Sequence, residues 1–303
     1  MNNNSTLSEP ALPAFKIWLL ASRPKTLVAA LVPVVIGAAL ASKTTDIDVT
    51  ILLCIFASAI CIQIGTNFAN DYSDFRSGAD TKERLGPLRV TQAGLVRPEV
   101  VKRAALLVFA AAILFGLPLI ARGGWPILAI GLLGILSGWC YTGGPYPLGY
   151  NGLGELFVFL FFGLAAVAGT AFILTGEWTI ESLLLGFSPG MLASALLAVN
   201  NTRDIDTDRR AGKRTLAAKF GRLFGQFEYT LLLLIPLLIP CYFLFVLDYS
   251  YWILLPLFSI PFMIRPVKLI FTKKDGSSLN VALADTAKVN LVFGILLSLG
   301  LVL

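Results

Sequence analysis

Asn67-Phe-Ala-Asn70-Asp71-Tyr-Ser-Asp74-Phe-Arg-Ser-Gly78-Ala-Asp80 and Asn200-Asn201-Thr-Arg203-Asp204-Ile-Asp206-Thr-Asp208-Arg-Arg-Ala-Gly212-Lys213 are two versions of one pattern, each at the end of a long apolar run. Asp204 lies 133 residues after Asp71, and Asp208 lies 134 after Asp74. On an α-helix Asn67, Asp71 and Asp74 share a face, as do Asn200, Asp204 and Asp208. Carboxylates stacked one turn apart repel each other, so the pattern calls for a cation among them. Intramembrane acids are expensive and mark function by default; at helix ends a single Asp reads more readily as a solvated polar end, and it is the two matched Asn/Asp sets on one side of the membrane that point to function.

The rest of the 303-residue chain supplies the setting. Hydrophobic residues make up 56% of it and charged residues 14%. The mean hydropathy is +0.79. So much apolar side chain has to face lipid, and the fold class expected is an all-α polytopic membrane bundle. Histidine is absent, which excludes haem-ligating histidine pairs, zinc triads and serine–histidine catalysis. Cys54, Cys61, Cys140 and Cys241 are scattered through apolar runs at no metal-site spacing and read as small packing residues. Residues 1–14 read as a disordered polar tail without the features of a signal peptide, and residues 15–303 as one membrane domain.

Apolar runs of membrane-spanning length recur about nine times, near 25–42, 50–71, 102–121, 125–142, 153–175, 180–202, 228–247, 251–271 and 282–303. Only Arg122-Gly-Gly124 separates the third from the fourth, which makes that pair an antiparallel hairpin. The stretch from Lys16 to Leu20, with Trp18, is expected to lie along the interface. Pro236, Pro240, Pro256, Pro261 and Pro266 predict kinks in the seventh and eighth spans. On this path 22 of the 24 Lys and Arg residues fall on one side, with only Lys43 and Arg122 on the other. The basic side is then cytoplasmic, both acidic clusters open towards it, the N-terminus is inside and the C-terminus outside. The net charge of +6 follows from this topology and points to membrane lipid, not to nucleic acid.

Magnesium favours carboxylates, water and substrate phosphate oxygens. Two acidic clusters flanking one cavity suit Mg2+ ions bridged to a diphosphate. Asp71, Asp74, Asp204 and Asp208 are the candidate ligands, with Asp80 a further one. Asn67, Asn70, Asn200 and Asn201 are candidates to complete the shells or position the diphosphate. Lys213 directly behind the second cluster, and Arg76, Lys82, Arg84, Arg209, Arg210 and Arg214 around both, bring positive charge for phosphates. Arg23 and Lys25 open the first span, and Arg203 precedes Asp204 at about 100° round the helix, pointing elsewhere than the metal. Arg23 and Arg203 are the candidates to meet an acceptor carboxylate or the diphosphate. A pseudo-symmetric repeat with a cation site also suits a transporter, but transporter sites sit at mid-depth on broken helices. These acids sit at helix ends on one side.

Asn-x-x-Asn-Asp-Tyr-x-Asp-x-x-x-Gly-x-Asp followed by Arg84-Leu-Gly-Pro-Leu-Arg89, together with Asn-Asn-x-Arg-Asp-x-x-x-Asp-x-x-x-Gly-Lys-x-Thr-Leu over 200–216, resembles the paired motifs of the UbiA-superfamily intramembrane aromatic prenyltransferases. Ser22-Arg-Pro-Lys-Thr-Leu27, Tyr141-Thr-Gly-Gly-Pro145 and the C-terminal Thr286-Ala-Lys…Phe293-Gly-Ile-Leu resemble the menaquinone branch, the 1,4-dihydroxy-2-naphthoate polyprenyltransferases. The resemblance covers nearly the whole chain. Two departures stand out: Gly78 occupies a place where the superfamily often has an acid, and the loop 141–152 lacks a lysine found in relatives. The resemblance implies Mg2+-dependent transfer of a polyprenyl group from its diphosphate to a hydroxynaphthoate, with loss of CO2 and diphosphate. Phe68, Tyr72, Tyr141 and Tyr146 are the rings near the motifs able to stabilise an allylic cation. A relative with another aromatic acceptor or a phytyl donor is the alternative within the class.

Overall fold

The computed structural model describes residues 12–79, 85–86 and 88–303. Most of the expected N-terminal tail, and Asp80, Lys82 and Arg84, lie outside the described residues. Among the described residues the chain is helical throughout its ordered elements, without strands. Helix α1 (Ala14–Ser22) is short, and Trp18 packs on Phe68 with ring centroids 5.4 Å apart. Arg23 turns the chain in the left-handed conformation (φ 51°, ψ 70°), and α2 (Pro24–Ala41) starts with proline at its first position. Proline fits there because its missing N–H would be unpaired anyway.

The next elements are α3 (Val49–Arg76), α4 (Pro98–Trp139), α5 (Gly154–Thr175) and α6 (Ile180–Arg203). The two short helices α7 (Ile205–Arg210) and α8 (Leu216–Phe220) follow. The spans α9 (Arg222–Phe245), α10 (Tyr251–Thr272) and α11 (Gly276–Val302) complete the chain. Among the described residues eight helices are long and apolar enough to cross a membrane. At 42 residues α4 is about twice the length a bilayer needs, and it holds two spans. Gly124 at φ 68°, ψ −153° breaks it, a conformation that glycine adopts without Cβ strain. Gly65 of α3 packs on Phe109, and Thr66 packs on Gly138, so both arms return to the same level of α3. The expected hairpin at 122–124 is therefore present, and among the described residues the bundle makes nine crossings.

The buried centre is α6 packed on α11, α2 and α9, where Leu185, Leu192, Val199, Tyr229, Phe293 and Leu297 are fully enclosed. Close approach of α5 to α6 requires glycine: a Cβ on Gly163 would lie 2.5 Å from the Gly186 carbonyl oxygen. Gly163 belongs to a π-helical stretch, Leu160–Ala165. Two prolines of the seventh and eighth spans lie in 3-10 turns, Pro236 in Ile235–Leu237 and Pro256 in Tyr251–Ser259, while Pro240, Pro261 and Pro266 lie within α-helical stretches.

Several helices begin earlier than their apolar runs. The helices starting at Pro98, Arg222 and Gly276 extend polar turns beyond lipid depth, where water and side chains satisfy them. At one end of the bundle lie both motifs. At the other, Lys43 Nζ donates to the Leu301 carbonyl (3.2 Å) and Arg122 pairs with Asp48 (3.0 Å). The two basic residues set apart by the sequence thus sit at the end opposite the motifs.

Candidate active site

A cavity of about 370 Å³ runs between α2, α3, α4, α5 and α6, within the range of ligand pockets. Its deep wall is apolar (Val34, Ile55, Leu119, Ile127, Phe161, Ile173), and its polar end carries Gln63, Asn67, Asn70, Tyr141 and Asn200. The two motifs close that end.

The first motif lies on unbroken helix, as its spacing predicts. Asp71 is directed into the 90–91 loop: its carboxylate accepts from Val90 N (3.0 Å), Thr91 N (3.3 Å) and the Thr91 hydroxyl. Asp74 is 1% exposed and accepts from Arg89 (2.6 Å), the Tyr150 hydroxyl (2.6 Å) and Lys213 Nζ (3.4 Å). Lys213 also stands over the Tyr150 ring at 4.5 Å. The Lys213–Asp74 contact joins the two motifs across the cavity mouth. Asn70 Oδ1 accepts from the Thr142 hydroxyl (2.9 Å), and Asn67 Nδ2 donates to the Ser22 carbonyl (2.9 Å) and Thr26 Oγ1 (3.0 Å).

The second motif differs from its predicted continuous helix. α6 ends at Arg203, Asp204 leaves helical geometry (φ −97°, ψ 11°), and Asp208 rides on the separate short helix α7. The Asp208 amide still reaches the Asp204 carbonyl at 2.7 Å, so the one-turn offset survives the break. The turn also brings Arg203 onto Asp204, with Nε and Nη2 donating at 2.7 and 2.6 Å. The expectation that Arg203 points elsewhere than its neighbouring acid is corrected, because a 100° offset holds only within a helix. Arg203 Nη1 donates to Asn280 Oδ1 (2.6 Å), and Asn280 Nδ2 donates to the Leu85 carbonyl (3.0 Å). That pairing keeps Arg203 away from the cavity. Among the described residues the Asp208 carboxylate makes no hydrogen bond. Burial pushes its pKa up to about 7; Lys213 pulls it down, while Asp204 and Asp74 push it up further.

Among the described residues no three acids form a ready ligand cluster. Instead the ammonium of Lys213 and the guanidiniums of Arg89 and Arg203 sit among the carboxylates. The oxygen-only donor set and the positive groups drawn into it fit a hard divalent cation such as Mg2+ once the basic residues turn to phosphate.

Of the remaining candidates, Tyr141 lines the cavity. Its hydroxyl is held far above its ordinary pKa by burial, then by Glu155, Asp74 and Asp208. Asn200 lines the cavity, whereas Asn201 Nδ2 donates to Glu155 Oε1 at 2.6 Å. Tyr72 faces away, packed in the cluster of Phe68 and Val101 with Lys102 5.5 Å from its ring. Phe68 is buried in that same cluster. Tyr146 is 59% exposed, and Lys25 is exposed as well; neither lines the cavity. Arg23 forms the α1–α2 corner. Glu155 and Gln63 lie outside the sequence motifs, and Arg89 and Tyr150, although they lie in the 84–89 motif and the 141–152 loop, carry no site role there. A signal existed for Gln63: it lies four residues before Asn67 and eight before Asp71, on the motif's own face.

Fold and mouth together define a polytopic membrane protein with an apolar cavity capped by acidic and basic groups, the build of a site for a long apolar molecule with an anionic head. The family model described as UbiA prenyltransferase family matches residues 30–292, and the chain belongs to that family. It is 35% identical over 95% of its length to a 1,4-dihydroxy-2-naphthoate octaprenyltransferase of Haemophilus influenzae, covering 96% of that protein. To the Bacillus subtilis protein of the same name it is 33% identical, covering 95% of this chain and 92% of that one. Its fold matches a UbiA homolog from Archaeoglobus fulgidus bound to GPP and Mg2+, with TM-score 0.70, 14% identity and coverage of 94% and 99% of the two chains. A UbiA homolog from Aeropyrum pernix K1 also matches with TM-score 0.70 and 14% identity, over 90% and 97%.

Proposed function

We propose that this chain transfers a polyprenyl group from polyprenyl diphosphate to 1,4-dihydroxy-2-naphthoate, releasing diphosphate and CO2 and giving demethylmenaquinol, the reduced form of demethylmenaquinone. The observation that carries the reading is the meeting of both motifs, at Asp74 and Lys213, over the polar end of an otherwise apolar cavity. The names of the relatives supply the acceptor.

The apolar wall holds the isoprenoid and excludes water from the allylic carbon. Asp74, Asp204 and Asp208 are the residues to hold Mg2+, with Asp71 behind them fixing the 90–91 loop. Mg2+ when bound neutralises the diphosphate and makes it a leaving group. Lys213 and Arg89, released from Asp74, are placed to pair with phosphate oxygens. The allylic C–O bond breaks as diphosphate leaves, a ring carbon of the naphthoate forms the new C–C bond, and the ring–carboxylate bond breaks to release CO2 and return its electron pair to the ring. Tyr141 offers its ring face to the developing cation at the cavity's polar end. By the positive-inside rule the motif end faces the cytoplasm.

The test is membranes from cells expressing the chain, supplied with farnesyl diphosphate, 1,4-dihydroxy-2-naphthoate and Mg2+. Expected are prenylated naphthohydroquinone (read as the quinone after oxidation in air), CO2 and diphosphate in equal amounts, all abolished by EDTA. Prenylation of 4-hydroxybenzoate in preference to the naphthoate overturns the acceptor. For orientation, cysteines at Lys274 and Lys43 are expected to label from opposite sides, the first from the cytoplasm.

A further inference from the structure

Gln63 is a polar side chain deep in an apolar helix. It lies eight residues, about 12 Å along the axis, before Asp71 on α3, is 7% exposed, and lines the cavity where the polar end gives way to apolar wall. A glutamine has two N–H donors and one carbonyl acceptor. Both hydrogen-bond contacts of Gln63 use its nitrogen: Nε2 donates to Thr26 Oγ1 at 3.0 Å and to Asn67 Oδ1 at 3.5 Å. Thr26 in turn gives its proton to the Arg23 carbonyl (2.9 Å), and Asn67 gives its amide protons to Ser22 O and Thr26. The donors of this network are directed at the α1–α2 corner. The carbonyl oxygen, Oε1, accepts nothing from the described residues. The amide orientation is set by its partners, since Thr26 Oγ1 has already spent its own proton.

We infer that Gln63 Oε1 accepts a hydrogen bond from a phenolic hydroxyl of the aromatic acceptor, and so selects for a ring hydroxylated opposite its carboxylate edge. The inference rests on the naphthoate reading given above. In a 1,4-dihydroxy-2-naphthoate the 1-hydroxyl is satisfied internally by the adjacent carboxylate. The 4-hydroxyl projects from the far side of the ring and needs a partner when buried. With the carboxylate towards the basic mouth, the 4-hydroxyl points into the cavity, where Gln63 supplies the acceptor. A hydroxyl donating to a carbonyl also keeps electron density on the ring, which favours attack on the allylic carbon.

The test compares wild-type enzyme with Gln63→Met, which keeps length and packing but offers no carbonyl. Steady-state constants are measured for farnesyl diphosphate and 1,4-dihydroxy-2-naphthoate, and inhibition constants for 1-hydroxy-2-naphthoate. Expected is an acceptor KM raised about tenfold, one neutral hydrogen bond's worth, with the donor KM within twofold. Inhibition by 1-hydroxy-2-naphthoate, which lacks the 4-hydroxyl, is expected to be equal in the two enzymes. If Gln63→Met does not fold, wild-type enzyme alone decides. There 1-hydroxy-4-methoxy-2-naphthoate, with no proton to donate, is expected to bind about tenfold more weakly than the 4-hydroxy compound. A raised donor KM, or equal losses for both naphthoates, overturns the role of Gln63. If wild-type enzyme prenylates no naphthoate at all, the proposed function falls and takes this inference with it.

Discussion

The two acidic motifs look like copies in sequence and are unlike in structure. The first stays on continuous helix, and its acids are saturated: Asp71 by the 90–91 backbone and Thr91, Asp74 by Arg89, Tyr150 and Lys213. The second straddles the end of α6, and its last acid, Asp208, makes no hydrogen bond among the described residues. The difference teaches that repeated residues need not share a task. The first motif anchors the mouth, with Arg89, Val90, Thr91 and Lys213 hung on it. The second presents a buried carboxyl group whose charged form burial disfavours, and it is this group that the proposed Mg2+ site would use.

The largest consequence is a contrast between two alanine variants. Asp208→Ala is expected to lower kcat by about 10³-fold or more, with thermal stability of the purified metal-free protein unchanged or raised, since burial disfavours the Asp208 charge. Asp71→Ala is expected to lose activity as severely and also to lose about 3 kcal/mol of stability, since several charge-assisted hydrogen bonds disappear. Thermal unfolding in detergent distinguishes them, and equal stability losses would break the contrast.

A second expectation concerns Lys213, which stands between the motifs. Lys213→Met removes a cation that competes with metal at Asp74 and a partner for phosphate. Metal binding without donor is expected to tighten several-fold, while the donor KM rises about tenfold. Mn2+ binding followed by electron paramagnetic resonance, beside steady-state kinetics, reads both signs. Weakening of both would show Lys213 to be a scaffold residue only.

The pH dependence follows from Asp208. Its pKa in the folded protein, about 7, lies above the ordinary carboxylate value near 4. Metal-free protein therefore keeps this contribution to stability below pH 4 and loses it as pH rises through 7. A bound cation displaces the proton, so metal affinity is expected to rise about fivefold from pH 6 to 7 and to level off above pH 8. Mg2+-induced shifts in melting temperature at those values check it, and Asp208→Asn is expected to flatten the profile.

The smallest effect separates two tyrosines of one loop. Tyr150→Phe removes the 2.6 Å bond to Asp74 and is expected to lower kcat/KM several-fold to tenfold. Tyr146→Phe, exposed and outside the cavity, is expected to change it less than twofold.

The spans were readable because lipid forces each one to be a long apolar helix, so composition and length carry the signal. The Arg122-Gly-Gly124 hairpin was readable because only a turn fits between two membrane-length runs. Asn67, Asn70, Asp71 and Asp74 were legible as a set because helical periodicity fixes their common face. The break at Asp204 was not, since a helix end inside a polar stretch leaves no change in hydropathy. Nor were the partners of the acids. Arg89 lies 15 residues from Asp74, Tyr150 lies 76 away and Lys213 lies 139 away, and no local periodicity relates them.

The sequence by itself determined the membrane setting, the number of crossings, the common end of the two motifs and the chemistry of hard oxygen ligands beside basic groups. All of these depend on residue type and local spacing. Only the tertiary structure decided which acid is held and which is open, that Arg203 closes on Asp204, that Tyr150 enters the site while Tyr72 and Tyr146 do not, and that Gln63 turns a carbonyl away from its own partners. Those outcomes depend on contacts between helices far apart in the chain, where the free energy of a buried polar group is set by whichever partner packing brings within hydrogen-bond reach.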